Sequence, residues 1–203
     1  CVDNGADFRM DPAIPLVVPE VNMAAVTGET RFIANPNCST IQMCVALAPL
    51  HQVAPVRRVI VTTFQSVSGY GREAQAELRK QLCQCNPETL GAPLEFDPSV
   101  FRKPIVLDCL PHIDAFMDNG YTKEELKMYH ETMKIFADPE LQVVATTVRV
   151  PVDIGHSESI NAEFGGPMTA ARALELMRQG VPANGLAVID QPAAETPGWP
   201  TPS

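Results

Sequence analysis

No stretch of about 18 consecutive apolar residues, the length of a membrane-spanning helix, occurs in the 203-residue chain. No positively charged start leads into an apolar run, so no secretory signal is read. Basic residues are scarce: 15 Lys and Arg stand against 24 Asp and Glu, for a net charge of −9. With no lysine–arginine stripe either, nucleic acid is not an expected partner. A phosphate or carboxylate ligand would have to be held by local cations. There is no internal repeat, and the only biased tract is the proline-rich end. None of the six cysteines (Cys1, Cys38, Cys44, Cys83, Cys85, Cys109) forms a C-x-x-C pair. Cys83 and Cys85 lack a second ligand pair, so no metal site is expected. Without an export signal the cysteines read as reduced thiols of a cytoplasmic protein.

What is present is an ordinary apolar fraction of 45%, enough for a real core. The stretch Phe32–Met43 organises the rest. Arg31–Ala34 reads as a strand and Asn35-Pro-Asn37 as a turn, with a helix expected from about Ser39, capped by Ser39 or Thr40. Cys38 then lies at a helix start, where free amide hydrogens and the helix dipole favour a thiolate. A buried, inert cysteine is the alternative.

Along the chain, residues 1–30 read as extended, with a proline-broken strand over Pro15–Val21. A helix is expected from Thr40 to near Pro49, a strand over Val56–Gln65, a glycine-containing loop to Gly71 and a helix over Arg72–Gln84. Residues 86–104 read as a turn-rich excursion, followed by a short strand at Ile105–Leu110. Thr122 and Glu125 form a capping-box pattern opening a helix to about 137, which Asp138-Pro139 stops. Strands are expected at Gln142–Val152, Ser159–Phe164 and Leu186–Ile189, with a helix from Thr169 to about Gln179. Strands interleaved with helices make an α+β domain: a mixed β-sheet with helices packed on one face.

Several residues could join Cys38 in chemistry. Gln65 ends a strand, though such an amide is commonly a surface group. Glu131 and Lys134 share a helix face, where a solvated ion pair is the default. Arg149 lies in an apolar strand and needs a partner or ligand. His156, in a loop, is the natural general base beside a thiol. Arg9 taken alone is a surface arginine. Together they suit acyl transfer through a thioester on an anionic substrate.

Four separated motifs carry a resemblance: N-C-S-T at 37–40, T-T-F-Q-S-V-S-G at 62–69, E-T-M-K-I at 131–135 and V-R-V-P-V-D-I-G-H-S-E at 148–158. In this order, and with V-D-N-G-A-D-F-R-M-D-P at 2–12, the chain resembles the aspartate-semialdehyde dehydrogenases from residue 1 to about 190. The resemblance implies a catalytic domain like that of glyceraldehyde-3-phosphate-dehydrogenase-like enzymes and NADPH-dependent reduction of β-aspartyl phosphate to aspartate semialdehyde and phosphate. It implies Cys38 as nucleophile, His156 as acid/base and Gln65 as the residue positioning the acyl intermediate. Arg149 would grip the substrate carboxylate and Glu131 its amino group. Lys134 and Arg9 would bind phosphate, with Asn37 lining that region, and Ser68 and Gly69 would meet NADP. A homodimer is implied as well.

The chain departs from that pattern in two ways. It contains no G-x-G-x-x-G or G-x-x-G-x-x-G dinucleotide motif, and Tyr70 stands in S-G-Y-G where a smaller residue is expected. Residues 1–30 are therefore read as a segment leading from a nucleotide-binding domain, 31–190 as a catalytic and dimerisation domain and 191–203 as an irregular tail. The abrupt ends suggest a piece of a longer protein or one half of a split one. A dimerising module that kept the site but lost the nucleotide domain is the alternative function. A glyceraldehyde-3-phosphate or N-acetyl-glutamyl-phosphate type of reductase fits the N-C-S-T context and the spacing from Arg149 to His156 less well.

Overall fold

A computed structural model describes residues 1–86, 88, 92–184 and 186–189. Strand β1 (Val2–Asp3) pairs in parallel with β2 (Ile33–Ala34), in the register Val2 to Ile33 and Asp3 to Ala34. Helices α1 (Pro19–Asn22), α2 (Cys38–His51), α3 (Arg72–Gln84), α4 (Lys123–Phe136) and α5 (Ala170–Asn184) alternate with the long strands β3 (Val56–Gln65), β4 (Gln142–Arg149) and β5 (Ser157–Phe164). The long strands form one sheet in the order β4-β3-β5. Gln65 O, at the end of β3, accepts from Val150 N just past the end of β4, so those two strands run the same way. Pro55 O accepts from Gly165 N while Ser66 N donates to His156, so β5 runs against β3. The sheet is mixed, as expected.

The differences from the sequence reading have local causes. Over Pro15–Val21 only Leu16 bridges to Ala34. Pro19 then opens the short α1, since its fixed φ suits a first helical position. Helix α2 starts at Cys38 and passes Pro49 to reach His51, whose ring stacks on Phe136 at 4.5 Å. In the expected strand Ile105–Leu110 only Leu110 pairs, with Arg149. Gln81 Oε1 claims the Ile105 and Val106 amides at 2.8 and 3.1 Å, and Leu107 has φ 62°, so no ladder forms there. Strand β4 stops at Arg149, because the chain turns sharply through Val150 and Val152 N bonds back to Val150 O. Helix α5 extends past Gln179 to Asn184, and Leu186–Ile189 is not a strand. The tail 191–203 lies outside the described residues.

The chain divides into two compact units. The first comprises Cys1–Val61, Glu125–Ala145 and the described residues from Ile160 on. Its core joins Met43 and Leu47 of α2, Val56, Val59 and Val61 of β3, Met128 of α4 and Val143 and Ala145 of β4. Burial alternates along these strands, so their inner faces meet α2 and α4, while Ile60 and Val144 point outward and stay exposed. Within residues 1–30, Leu16 and Val18 are buried with Ala34, Cys44 and Ile135. The second unit comprises Thr62–Glu124 and Thr146–Ser159. Val67, Ala74, Leu78, Phe101, Ile105 and Val106 form its core. The described part of the 86–104 excursion docks on α3, where Gln84 exchanges two hydrogen bonds with the Glu95 main chain.

Met128 is fully buried at the centre of the first core. Met128→Ala is expected to destabilise the protein by about 2–5 kcal/mol, the range for emptying such a site. The measurement is denaturant unfolding; a loss under about 1 kcal/mol would show that the site collapses or is poorly packed.

Candidate active site

In the first unit, the Cys38 turn is held from both sides. Asn37, not Ser39 or Thr40, is the helix cap: its Oδ1 accepts from Ser39 N at 3.0 Å and Thr40 N at 3.2 Å. This satisfies two of the four amides that a helix start leaves open. The Asn37 main-chain N–H in turn donates to Glu131 Oε2 at 2.6 Å. Glu131 is 1% exposed, and its Oε1 pairs with Arg9 Nη1 at 3.0 Å. Arg9 also donates to Asn4 O, while its buried Nε meets no hydrogen-bond partner among the described residues. Cys38 itself is exposed, at the first residue of α2.

Lys134 lies one helical turn beyond Glu131. Its ammonium donates to the carbonyls of Arg9, Asp11 and Ile14 at 2.7, 2.7 and 2.8 Å. Those three oxygens match the three donors of an ammonium. Burial holds its pKa below the usual lysine value, with Asp11 opposing. Glu131 and Lys134 are thus not the solvated pair that is the default for such spacing, and Arg9, 8% exposed, is not a surface arginine. The one-turn spacing lets two side chains of α4 anchor the same N-terminal loop.

In the second unit, the strand-end residues gather around His156. Val67 N and Ser68 N donate to Val152 O and Asp153 O, tying the turn after β3 to the turn after β4. Asp153 is anchored to α3 by Gln75 at 2.8 Å and Arg79 at 2.7 Å. Arg149, 6% exposed, donates from Nη1 to Ser66 O at 2.7 Å, and its guanidinium sits 5.9 Å from the centre of the Tyr70 ring. Tyr70 stacks in turn on Phe101, and both line a cavity of about 690 Å³ together with Arg149, His112 and Phe116. The bulk at Tyr70 is therefore accommodated beside the arginine.

His156 Nδ1 lies 3.1 Å from both Ser66 N and Ser66 Oγ. A main-chain N–H only donates, so Nδ1 accepts and the neutral ring carries its proton on Nε2. Burial pushes the pKa of His156 below its ordinary value, the Arg149 guanidinium adds to this, and Glu124 opposes it. Gly69 is packed against the same groups. A Cβ there would lie 3.0 Å from His156 Cε1, 3.1 Å from Nε2 and 3.3 Å from Arg149 Nη1.

The structure thus brings Arg9, Asn37 and Glu131 to the Cys38 turn in one unit, with Lys134 fastening the loop that carries Arg9, and Gln65, Ser68, Gly69, Arg149 and His156 lie in the other. Glu124 and Ser66 were not singled out by sequence reasoning. Glu124 sits beside the capping-box threonine and reads as an ordinary first-turn acid, yet it is 5% exposed and accepts from Gln65. No sequence pattern distinguishes it.

The chain belongs to the semialdehyde dehydrogenase family: the model of that family's dimerisation domain matches residues 47–203. It is 49% identical over 179 residues to an aspartate-semialdehyde dehydrogenase of Shewanella sp. (strain DB6705), a match covering 87% of this chain and 52% of that protein. The crystal structure of aspartate semialdehyde dehydrogenase II from Vibrio cholerae superposes with a TM-score of 0.81 at 47% identity, covering 88% of this chain and 52% of that one. The same enzyme complexed with ASA also gives 0.81, at 46% identity and the same coverage. The chain spans about half the length of the relatives it matches.

Gly69→Ala is expected to push the imidazole and the guanidinium aside. The His156 ring signals in nitrogen–proton correlation spectra should shift, with the far-ultraviolet spectrum unchanged. Unshifted signals would show that the added methyl group is absorbed without moving the ring. His156 also links stability to pH. Its folded pKa is depressed, so the unfolded chain binds the proton first as pH falls through about 6.5. The contribution is present above that pH and is lost below it. His51, lowered by burial against the pull of Asp138, acts in the same direction. The urea midpoint should therefore drop between pH 7.5 and 5.5, and His156→Gln should flatten that slope.

Proposed function

We propose that this chain is the catalytic and dimerisation part of an aspartate-semialdehyde dehydrogenase acting in the biosynthesis of lysine, methionine and threonine in the cytoplasm. The reaction is NADPH-dependent reduction of β-aspartyl phosphate to aspartate semialdehyde with release of phosphate. The observation that carries this reading is the exposed Cys38 at the Asn37-capped start of α2, within a chain belonging to the semialdehyde dehydrogenase family.

In this reading the Cys38 thiolate attacks the acyl carbon of β-aspartyl phosphate. The new C–S bond replaces the C–O bond to phosphate, which leaves. Arg9 and Lys134 hold that phosphate, with Asn37 beside them. Lys134 reaches it by exchanging one of its three carbonyl bonds, and Arg9 can offer its unpartnered Nε. Arg149 takes the substrate α-carboxylate and Glu131 the amino group. When bound, NADPH supplies the hydride that reduces the Cys38 thioester, and the tight Ser68–Gly69 turn beside His156 is this chain's share of its site. His156 Nε2–H donates a hydrogen bond to the carbonyl-derived oxygen and stabilises the negative charge that develops there. The charge passes to the Cys38 sulfur on collapse to aldehyde and thiolate, and the ring stays neutral throughout. Gln65 positions the acyl group. The outward sheet residues Ile60 and Val144 suit a face buried in a homodimer. The second reading, a dimerising module without turnover, is favoured by one observation: the matching family model is that of the dimerisation domain.

The two readings separate experimentally. Iodoacetamide at pH 7 should modify Cys38 faster than Cys83 and Cys109, which are exposed as well, and Cys38→Ser should abolish turnover without lowering the melting temperature. Equal alkylation rates would overturn the nucleophile. The 203-residue chain by itself is expected to fold and dimerise with little or no NADP-dependent, phosphate-requiring oxidation of aspartate semialdehyde; robust turnover by it alone would sink the need for a separate nucleotide domain.

A further inference from the structure

Gln65 is 1% exposed, and its Nε2 donates to two side chains: Thr63 Oγ1 at 3.2 Å and Glu124 Oε1 at 3.2 Å. A primary amide has two N–H donors, so both are engaged. Which end of a glutamine is nitrogen is decided by its neighbours. A carboxylate only accepts, and the reverse orientation would set the Gln65 carbonyl against the Glu124 oxygen. Glu124 is itself 5% exposed and lies in the first turn of α4, so neither partner has bulk water to relieve a mismatch. Among the described residues Gln65 Oε1 makes no hydrogen bond.

We propose that Glu124 is a positioning residue that locks the Gln65 amide with its nitrogen turned inward, so that Gln65 presents a hydrogen-bond acceptor, its Oε1, to the reacting group. Resting on the function proposed above, this changes the division of labour in the site. An amide offered by its N–H would hold a developing oxyanion. An amide offered by its oxygen cannot. It instead receives a hydrogen bond from an O–H or N–H of the substrate. The oxyanion donor is then His156 Nε2–H, which the Ser66 bonds to Nδ1 leave as the proton-bearing nitrogen. Donor and acceptor are thereby assigned to different side chains, each oriented by a neighbour that does not itself touch the substrate.

The test uses the Gln65 side-chain amide signals of the full protein in nitrogen–proton correlation spectra, with Glu124→Gln, Glu124→Asp and Thr63→Val. In the wild type both Gln65 amide protons should exchange with solvent at least tenfold more slowly than those of an exposed glutamine. Glu124→Gln should shift the Gln65 nitrogen signal and abolish the protection of one proton. It should also lower kcat about tenfold with KM nearly unchanged, and Glu124→Asp should restore a substantial part of both. If Glu124→Gln does not fold, Thr63→Val serves: it keeps the shape and should release the other proton. Unprotected wild-type protons, or protection unchanged by Glu124→Gln or by Thr63→Val, would overturn the proposal. Absence of NADP-linked turnover in the wild type would overturn the functional reading alone, because the amide signals do not depend on it.

Discussion

A buried carboxylate on α4 sets the geometry on which the candidate nucleophile depends. Glu131 divides its two oxygens between the Arg9 guanidinium and the main-chain amide of Asn37. Both partners are distant in sequence, so the bonds close long loops and are made only once α4 has packed. Taking a carboxylate out of water is costly unless every lone pair is met. Here the charge is met by a guanidinium and by an amide that would otherwise be stranded at the turn. Lys134, one turn later, pins the same N-terminal loop through three carbonyls. The helix carrying Glu131 thus acts as a bracket: its inner face joins the core through Met128, and two polar side chains fasten the chain leading to Cys38.

The same economy operates at the start of α2. Asn37 caps two amides with its side chain and spends its own amide on Glu131. The cap therefore also connects the helix start to the ion pair. Disturbing Glu131 would move the cap, and moving the cap would move Cys38, its immediate neighbour.

In the second unit the governing constraint is direction rather than charge. Ser66 N–H, Thr63 Oγ1 and Glu124 each face one atom of a side chain with two non-equivalent ends, His156 or Gln65. These contacts choose a tautomer and an amide orientation, and so decide which group donates and which accepts. Gly69 completes the arrangement by leaving space where any side chain would press on His156 and Arg149. The pKa of His156 follows: a ring whose Nδ1 is already an acceptor, buried beside a guanidinium, resists a second proton.

The sequence by itself determined the alternation of elements, the α+β class and the Asn-Pro-Asn-Cys turn, because these rest on local pattern. Strand alternation in Val56–Gln65, the breaker at Asp138-Pro139 and the small polar residues before α2 act over a few positions and are legible one by one. Expectations went astray where a distant group claimed a local donor. Gln81 took the amides of Ile105 and Val106 from a strand that otherwise reads well. Asn37 outcompeted the two hydroxyl residues that looked like the cap, because its Oδ1 reaches both following amides. Arg9 and Lys134 read as surface cations until packing supplied a buried carboxylate and three carbonyls. Glu124 carried no signal at all. Only the tertiary structure decided these partnerships and the orientation of Gln65 and His156, since a hydrogen bond across dozens of residues leaves no mark on the spacing of the chain that makes it.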